Sequence, residues 1–258
     1  MINKKLLAST ALAGLLAASN AFSQTTNFVG PSLALTGSYV GGSSNFKTGD
    51  FVNEYILFTD QSGLNTRLGE NTNIIPGVDL NYGFAMGNNF VLGLGATYDF
   101  SKTKTGGFNS NLTVNGDDFD IAVDSSFKKH YSLYIEPTYV VNKETALFAK
   151  VGRHYAKANI SAPVTVNGSS LSDVTMGEFG GLVGQATATS KNIEGWGYGV
   201  GIKTFLTSNL FVQLDAGIVE YDKVNLPYVI DSIAADEAIQ NSYKAKTTNA
   251  TISVGYKF

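Results

Sequence analysis

Ala250-Thr251-Ile252-Ser253-Val254-Gly255-Tyr256-Lys257-Phe258 closes this chain of 258 residues, and it alternates without a break. Ala250, Ile252, Val254, Tyr256 and Phe258 fall on one face; Thr251, Ser253, Gly255 and Lys257 fall on the other. A period of two is that of a β-strand, not of a helix. One face of this strand is wholly apolar, and the other is small or polar.

Seven earlier stretches carry the same pattern: 33–39, 76–84, 90–100, 131–139, 147–152, 196–203 and 210–218. In 90–100, for example, Phe90, Leu92, Leu94, Ala96, Tyr98 and Phe100 alternate with Val91, Gly93, Gly95, Thr97 and Asp99. The eight segments approach the 9–11 residues that a tilted strand needs to cross a bilayer. The connections alternate too. Three are short, around Met86–Asn89, Asn142–Glu144 and Thr207–Asn209; four are long and polar, about 41–72, 102–128, 158–194 and 222–248.

A lipocalin-like barrel or a sandwich in water would turn its apolar face inward and its polar face to solvent. Here the second face is mostly Gly, Ser, Thr and Ala with a few charges. That face is too small for a solvent surface and suits a narrow interior. Aromatic residues mark both margins of the apolar face. Phe84, Phe90, Tyr139, Tyr256 and Phe258 stand at the short-turn side. Tyr39, Tyr98, Phe100, Tyr131, Tyr155, Trp196 and Tyr198 stand at the long-loop side. Two such girdles around a Leu/Val/Ile/Ala band belong at lipid headgroup level. Hydrocarbon leaves no water for an unpaired strand edge, so the first strand must pair with the eighth. Pro76 and Pro137, which lack a backbone donor, are expected near the membrane margins or at a bulge.

Lys4 and Lys5 precede an apolar run, Leu6 to Ala18, followed by Ser19-Asn20-Ala21. This is the layout of a cleaved secretory signal. Cleavage is placed after Ala21, with Ser23 as the alternative, leaving residues 1–21 as signal and 22–258 as the barrel. No later run is long and apolar enough for a helix to span the bilayer core, about 30 Å thick. The chain has no cysteine, which removes disulfides, thiol nucleophiles and cysteine-ligated metals. A net charge of −3 leaves no footprint for nucleic acid.

The signal, the eight alternating strands, the four long loops and the terminal Gly255-Tyr256-Lys257-Phe258 resemble the small outer-membrane barrel family, that is, the opacity-protein or OmpA-type eight-stranded β-barrel domain. The resemblance covers the mature chain. It implies Sec-type export, residence in the outer membrane amid lipid and lipopolysaccharide, and surface loops engaged in adhesion or envelope integrity. It also implies that Phe258, Tyr256 and Val254 form the C-terminal signal read by the barrel assembly machinery. Nothing after Phe258 corresponds to the peptidoglycan-binding domain of larger members, so wall anchoring is not expected.

The inward set includes Asp79, Asn81, Asp99, Glu136, Lys150, Lys203, Gln213, Asp215 and Lys257. Charges in so narrow a lumen are costly unless paired. If Tyr139 faces Leu147 across the turn, Glu136 faces Lys150, and an ion pair is expected there. Lys203 is expected to face Gln213, with Asp215 diagonally in reach. His130 and His154 lie near the outer ends of adjacent strands, with Ser132 opposite His154. A Ser–His pair invites a nucleophile reading, but no oxyanion feature accompanies it. Asp117-Asp118-Phe119-Asp120 lacks the spacing of a calcium loop and reads as an acidic loop tip. The glycines at 195, 197, 199 and 201 mark a strand face, not a phosphate loop.

The expectation is therefore an all-β, eight-stranded antiparallel up-and-down transmembrane barrel with four long extracellular loops and three short periplasmic turns. It has no enzymatic activity, cofactor or metal. Its loops carry a structural and surface-interaction role toward host or environmental ligands. A narrow porin-like channel is the alternative, and a lipid-modifying enzyme ranks below it.

Overall fold

The computed structural model describes residues 25–47, 65–114, 117–161, 164–166, 169–170, 189–226 and 241–258. The expected signal, with its cut at Ala21 or Ser23, lies outside them, as does the apolar stretch Met176–Ala188.

A short 3-10 turn, Thr25–Phe28, leads into β1 (Gly30–Lys47), β2 (Asn65–Ala85), β3 (Phe90–Asp99), β4 (Thr103–Val114) and β5 (Asp117–Val140). Then come β6 (Thr145–Ser161), β7 (Val164–Val166), β8 (Ser169–Ser170), β9 (Thr189–Phe205), β10 (Leu210–Tyr221), β11 (Val224–Leu226) and β12 (Asn241–Lys257). Antiparallel pairing runs β1-β2-β3-β5-β6-β9-β10-β12 and returns to β1. Those eight strands are a closed barrel. The closing seam runs from Ser32↔Lys257 to Lys47↔Ser242, so the alternating C-terminal stretch finds its second partner only in the first strand.

Side chains obey the alternation. Leu35, Ile74 and Val200 point outward and are 67%, 78% and 65% exposed, within a continuous belt that also holds Leu80, Leu94, Leu133, Leu214, Ile252 and Val254. An apolar surface of this extent is not sustained by a monomer in water; hydrocarbon is the solvent it fits. Tyr39, Phe84, Phe90, Tyr98, Tyr131, Trp196 and Tyr198 are exposed at the edges of the belt, and Tyr139 and Tyr155 are half-buried. Tyr139 stacks obliquely on Phe90, and Tyr155 lies parallel to Tyr131. Pro76 and Pro137 sit in regular pairing opposite Gly37 and Leu92, and neither makes a bulge. Pro76 lies beside Phe100, and Pro137 lies two residues from Tyr139, so both are near the margins.

The strands exceed the expected length. Among the described residues, the segments read as loops from about 41 and 102 are sheet over most of their length: β1 continues to Lys47, β2 begins at Asn65, and β4 pairs with the first half of β5 as a hairpin. Above the outer aromatic residues the tube encloses a second apolar core of Phe127, Ala156, Ala158, Ile160, Ile193, Val219, Tyr221, Tyr243 and Ala245. A bulge makes it possible. Lys128 pairs with Lys157 and Tyr131 with Tyr155, so β5 carries one extra residue, with Lys129 at φ 53°. Strict alternation back from Tyr131 would turn Phe127 outward. The extra residue resets the phase and buries Phe127 inside the tube.

The interior is not merely small and polar. Four rings press on glycines of a neighbouring strand: Tyr134 on Gly95, Phe148 on Gly201, His154 on Gly197 and Phe211 on Gly255. A Cβ on any of these glycines would collide with the ring. The inward glycines are thus sockets for large side chains, which is how eight strands fill their lumen.

Candidate functional site

The lumen is the site in which the polar groups converge, and it has four storeys. At the short-turn end the N-terminal turn forms a cork. Phe28 packs edge-on to Phe205 at 5.1 Å and against Phe211, Ala34, Val91, Val140 and Ala146. Lys257 Nζ donates to Thr26 O at 2.6 Å, and Asn27 Nδ2 donates to Lys143 O at 2.8 Å, tying the cork to the rim.

Above it lies the charged storey. Lys150 Nζ donates to Asp79 Oδ2 at 3.0 Å and stands 3.6 Å from Glu136 Oε2 and 4.0 Å from Asp215 Oδ1. Lys203 Nζ donates to Glu136 Oε1 at 3.0 Å. Tyr134 Oη donates to Asp79 Oδ1 and accepts from Asn81 Nδ2 at 3.2 Å. Gln213 Nε2 donates to Asp215 Oδ1 at 3.2 Å. Phe148 lies within 6 Å of both ammonium groups. Glu136 and Lys150 are neighbours in the register that Ile135↔Val151 and Thr138↔Phe148 bracket. Lys203 does face Gln213, but the expected reach to Asp215 is corrected. The Lys203 ammonium crosses the lumen to Glu136, the more buried carboxylate, and Lys150 takes the position near Asp215. Alternation fixes which side chains point inward; it does not say which partner a flexible ammonium crosses the lumen to find.

The third storey is a chamber of about 120 Å³ walled by Asp99, His130, Ser132 and His154, with Tyr134 and Asp215 below and Phe127 and Tyr221 above. His130 Nδ1 lies 2.6 Å from Asp99 Oδ2, and His130 Nε2 lies 3.0 Å from His154 Nδ1. The two imidazole planes are 17° from parallel, and the rings meet edge to edge through that N···N contact. Ser132 pairs with His154 in the ladder, but its Oγ is engaged with Thr97 Oγ1 at 2.7 Å. Ser132 thus stands opposite His154 as expected, and its hydroxyl bonds to a threonine and not to the imidazole. Asp99 was legible as inward; its contact with His130 depends on the bulge and was not.

The fourth storey is the apolar cap. Phe127 packs on Tyr221 at 4.8 Å. The Tyr243 hydroxyl meets Ser125 Oγ at 2.6 Å and Thr105 Oγ1 at 3.2 Å. Burial pushes the Tyr243 phenol up, against the opposing pull of those hydrogen bonds, so it remains neutral. Outside the barrel, at the outer margin, Arg153 turns away from the lipid toward Asp222 and Glu194 at 2.6 and 2.9 Å, with its head over the Trp196 ring. This is the snorkelling expected of a long cation at a membrane edge. Val254, Tyr256 and Phe258 lie outward at the end of the seam. No group of three or more metal-ligating side chains occurs among the described residues.

A closed eight-stranded barrel with an apolar outer belt and a filled polar lumen has one kind of solvent to live in. The sequence matches, over residues 8–258, the family described as outer membrane protein beta-barrel domain. The chain belongs to that family. This outer-membrane barrel is also similar to several solved structures. Ail, the attachment invasion locus protein of Yersinia pestis, aligns at 13% identity over 89% of this chain and 99% of its own, with a TM-score of 0.40. OprG from Pseudomonas aeruginosa aligns at 9% over 93% and 99%, with a TM-score of 0.45. The outer membrane protease OmpT from Escherichia coli aligns at 7% over 89% and 97%, with a TM-score of 0.37. Those likenesses concern the fold alone. No curated protein matches the barrel.

Proposed function

We propose that this barrel is a closed, non-conducting surface-interaction protein that presents its extracellular loops to host or environmental ligands and does no chemistry of its own. The observation that supports this reading is the lumen, which is filled at the Phe28 cork, at the Lys150–Glu136–Lys203 cluster and at the Phe127–Tyr221 cap. An open channel would need three rearrangements at once, one of them the separation of buried charges. A hydrolytic role has no support from Ser132, whose hydroxyl is bonded to Thr97 and not to an imidazole.

In planar bilayers the purified barrel is expected to give no steady conductance. A variant lacking Thr25–Phe28 should stay silent too, because the charged storey remains. A stable conductance abolished by Lys150→Ala would instead favour the channel reading. The surface role is tested on whole cells by deleting segments 48–64, 171–188 and 227–240 in turn and measuring binding to immobilised host-cell and matrix surfaces. At least one deletion should abolish binding. Binding indifferent to all three would end the adhesive reading.

Export and insertion belong to the same proposal. The segment 1–21 would direct Sec-type export, and Val254, Tyr256 and Phe258 would be read by the assembly machinery. Phe258→Ala is expected to lower the amount of heat-modifiable, folded barrel in outer-membrane fractions while leaving refolding from urea into detergent intact. Equal loss in both assays would assign Phe258 to stability alone.

A further inference from the structure

The charged storey and the chamber together hold four carboxylates, Asp79, Asp99, Glu136 and Asp215, against the two ammonium groups of Lys150 and Lys203. A narrow, sealed interior tolerates such an excess poorly. Besides the carboxylates themselves, the groups able to offset it by taking up protons are the two imidazoles. We propose that the His130–His154 pair is an acid-operated latch on the extracellular cap: a single proton shared by the pair holds the cap shut, and a second one releases it.

The geometry gives the reason. An N···N contact of 3.0 Å requires a hydrogen on one nitrogen and a lone pair on the other. With one proton taken up, His130 donates from Nδ1 to Asp99 and from Nε2 to His154, and the contact stands. With two, both facing nitrogens carry hydrogen and both rings carry charge, so the rings must part. No bridging metal fits the same line, because 3.0 Å between facing nitrogens is too short for two bonds of about 2.0–2.1 Å set in line.

Only one ring can retreat. His154 lies against the backbone of Gly197 in β6, which is paired without interruption to β9 from Thr145 to Ile160. His130 sits in the bulge, where pairing to β6 lapses between Lys128 and Tyr131 and Lys129 holds a left-handed backbone. Separation therefore moves the bulge. Phe127, which forms the cap with Tyr221 and pairs with Thr103 at the foot of the β4–β5 hairpin, moves with it.

The charged and titratable groups around the pair come from every side. Asp79 and Asp99 face it from β2 and β3, Tyr134 and Glu136 from β5, and Lys150 from β6. Asp215 and Tyr221 face it from β10. Strands β1, β9 and β12 contribute no carboxylate, ammonium or imidazole to the chamber lining; their one titratable group there is the Tyr198 phenol of β9, beside the hydroxyls of Thr36, Ser38, Thr247 and Thr251. Asp99 Oδ2 stands 2.6 Å from His130 Nδ1, where it accepts that nitrogen's hydrogen. The Lys150 ammonium, on the same strand as His154, opposes the pair's second proton.

The test uses the full barrel in detergent micelles, followed by two-dimensional NMR with a soluble gadolinium chelate as the water probe, from about pH 7.5 to about pH 3. On acidification the amide signals of Phe127, Tyr221 and Tyr243 should lose their shielding together, while those of Phe205 and Phe211 at the base keep theirs. In His154→Phe, which keeps a ring over Gly197 and removes the second proton site, the cap should remain shielded over the whole range. His130→Phe should do the same, so the result does not hang on one variant. Circular dichroism and gel mobility at neutral pH establish that each variant has folded. A wild-type cap that stays shielded to the acid limit, or a folded His154→Phe barrel that opens at the wild-type pH, would overturn the latch; the latter would assign the opening to carboxylates. Because no ligand takes part, the outcome is independent of the surface role proposed above.

Discussion

Replacing Glu136 with alanine is expected to lower the unfolding free energy of the barrel in lipid vesicles by about 3–5 kcal/mol, as measured by urea titration of the single tryptophan. Glu136 is almost wholly buried, and it is the only carboxylate forming an ion pair with Lys203 among the described residues. Its other oxygen makes no hydrogen bond there and is held by the charge of Lys150 at 3.6 Å. Truncation leaves the Lys203 ammonium sealed below the chamber, beside the faces of Phe148 and Phe211, without its carboxylate partner. The loss is thus dominated by a stranded charge, not by a missing bond. Replacing both partners, Glu136→Leu with Lys203→Leu, should recover most of it, because two apolar groups of similar bulk strand nothing. A Glu136→Ala barrel within about 1 kcal/mol of wild type would show that water reaches Lys203, and the sealed-lumen picture would fail with it.

The second large effect is steric. Gly255→Leu should destabilise by about 1–3 kcal/mol through overpacking, because the Phe211 ring occupies the space where a side chain at 255 would begin. That ring cannot withdraw: Phe205 stands 5.4 Å away, and Ala34 and Phe28 close the other sides. Phe211→Ala alone should cost about 3–5 kcal/mol by leaving a hole. The double change fills the hole from the opposite strand. Its cost should therefore fall short of the sum of the two by about 1–3 kcal/mol. Refolding from urea avoids any role of the C-terminus in cellular assembly. Strict additivity would mean that ring and glycine do not share the space.

Much of this was written in the alternation. A period of two in Ala250–Phe258 and its seven counterparts decides which side chains meet lipid, and closure follows because an unpaired edge is untenable there. The neighbouring positions of Glu136 and Lys150 follow from one turn length. What the pattern could not carry is instructive. Phe127 faces inward only because Lys129 adds a residue to β5, and a single inserted residue leaves no periodic trace in a polar stretch. The Phe28 cork precedes the first alternating strand and depends on packing at the far rim. The sharing of Glu136 by two lysines, and of His130 by Asp99 and His154, is decided by side-chain reach across the lumen. Inward glycines read as a small face; that they accept rings from the next strand needs the register as well as the sequence.

The second apolar core above the aromatic belt has a bearing on how such a protein can change over time. It acts as a pedestal, a collar with its own packing lifted clear of the embedded wall. Substitutions and insertions at the tips need satisfy only that collar, while the lipid-facing wall and its buried charges go unperturbed.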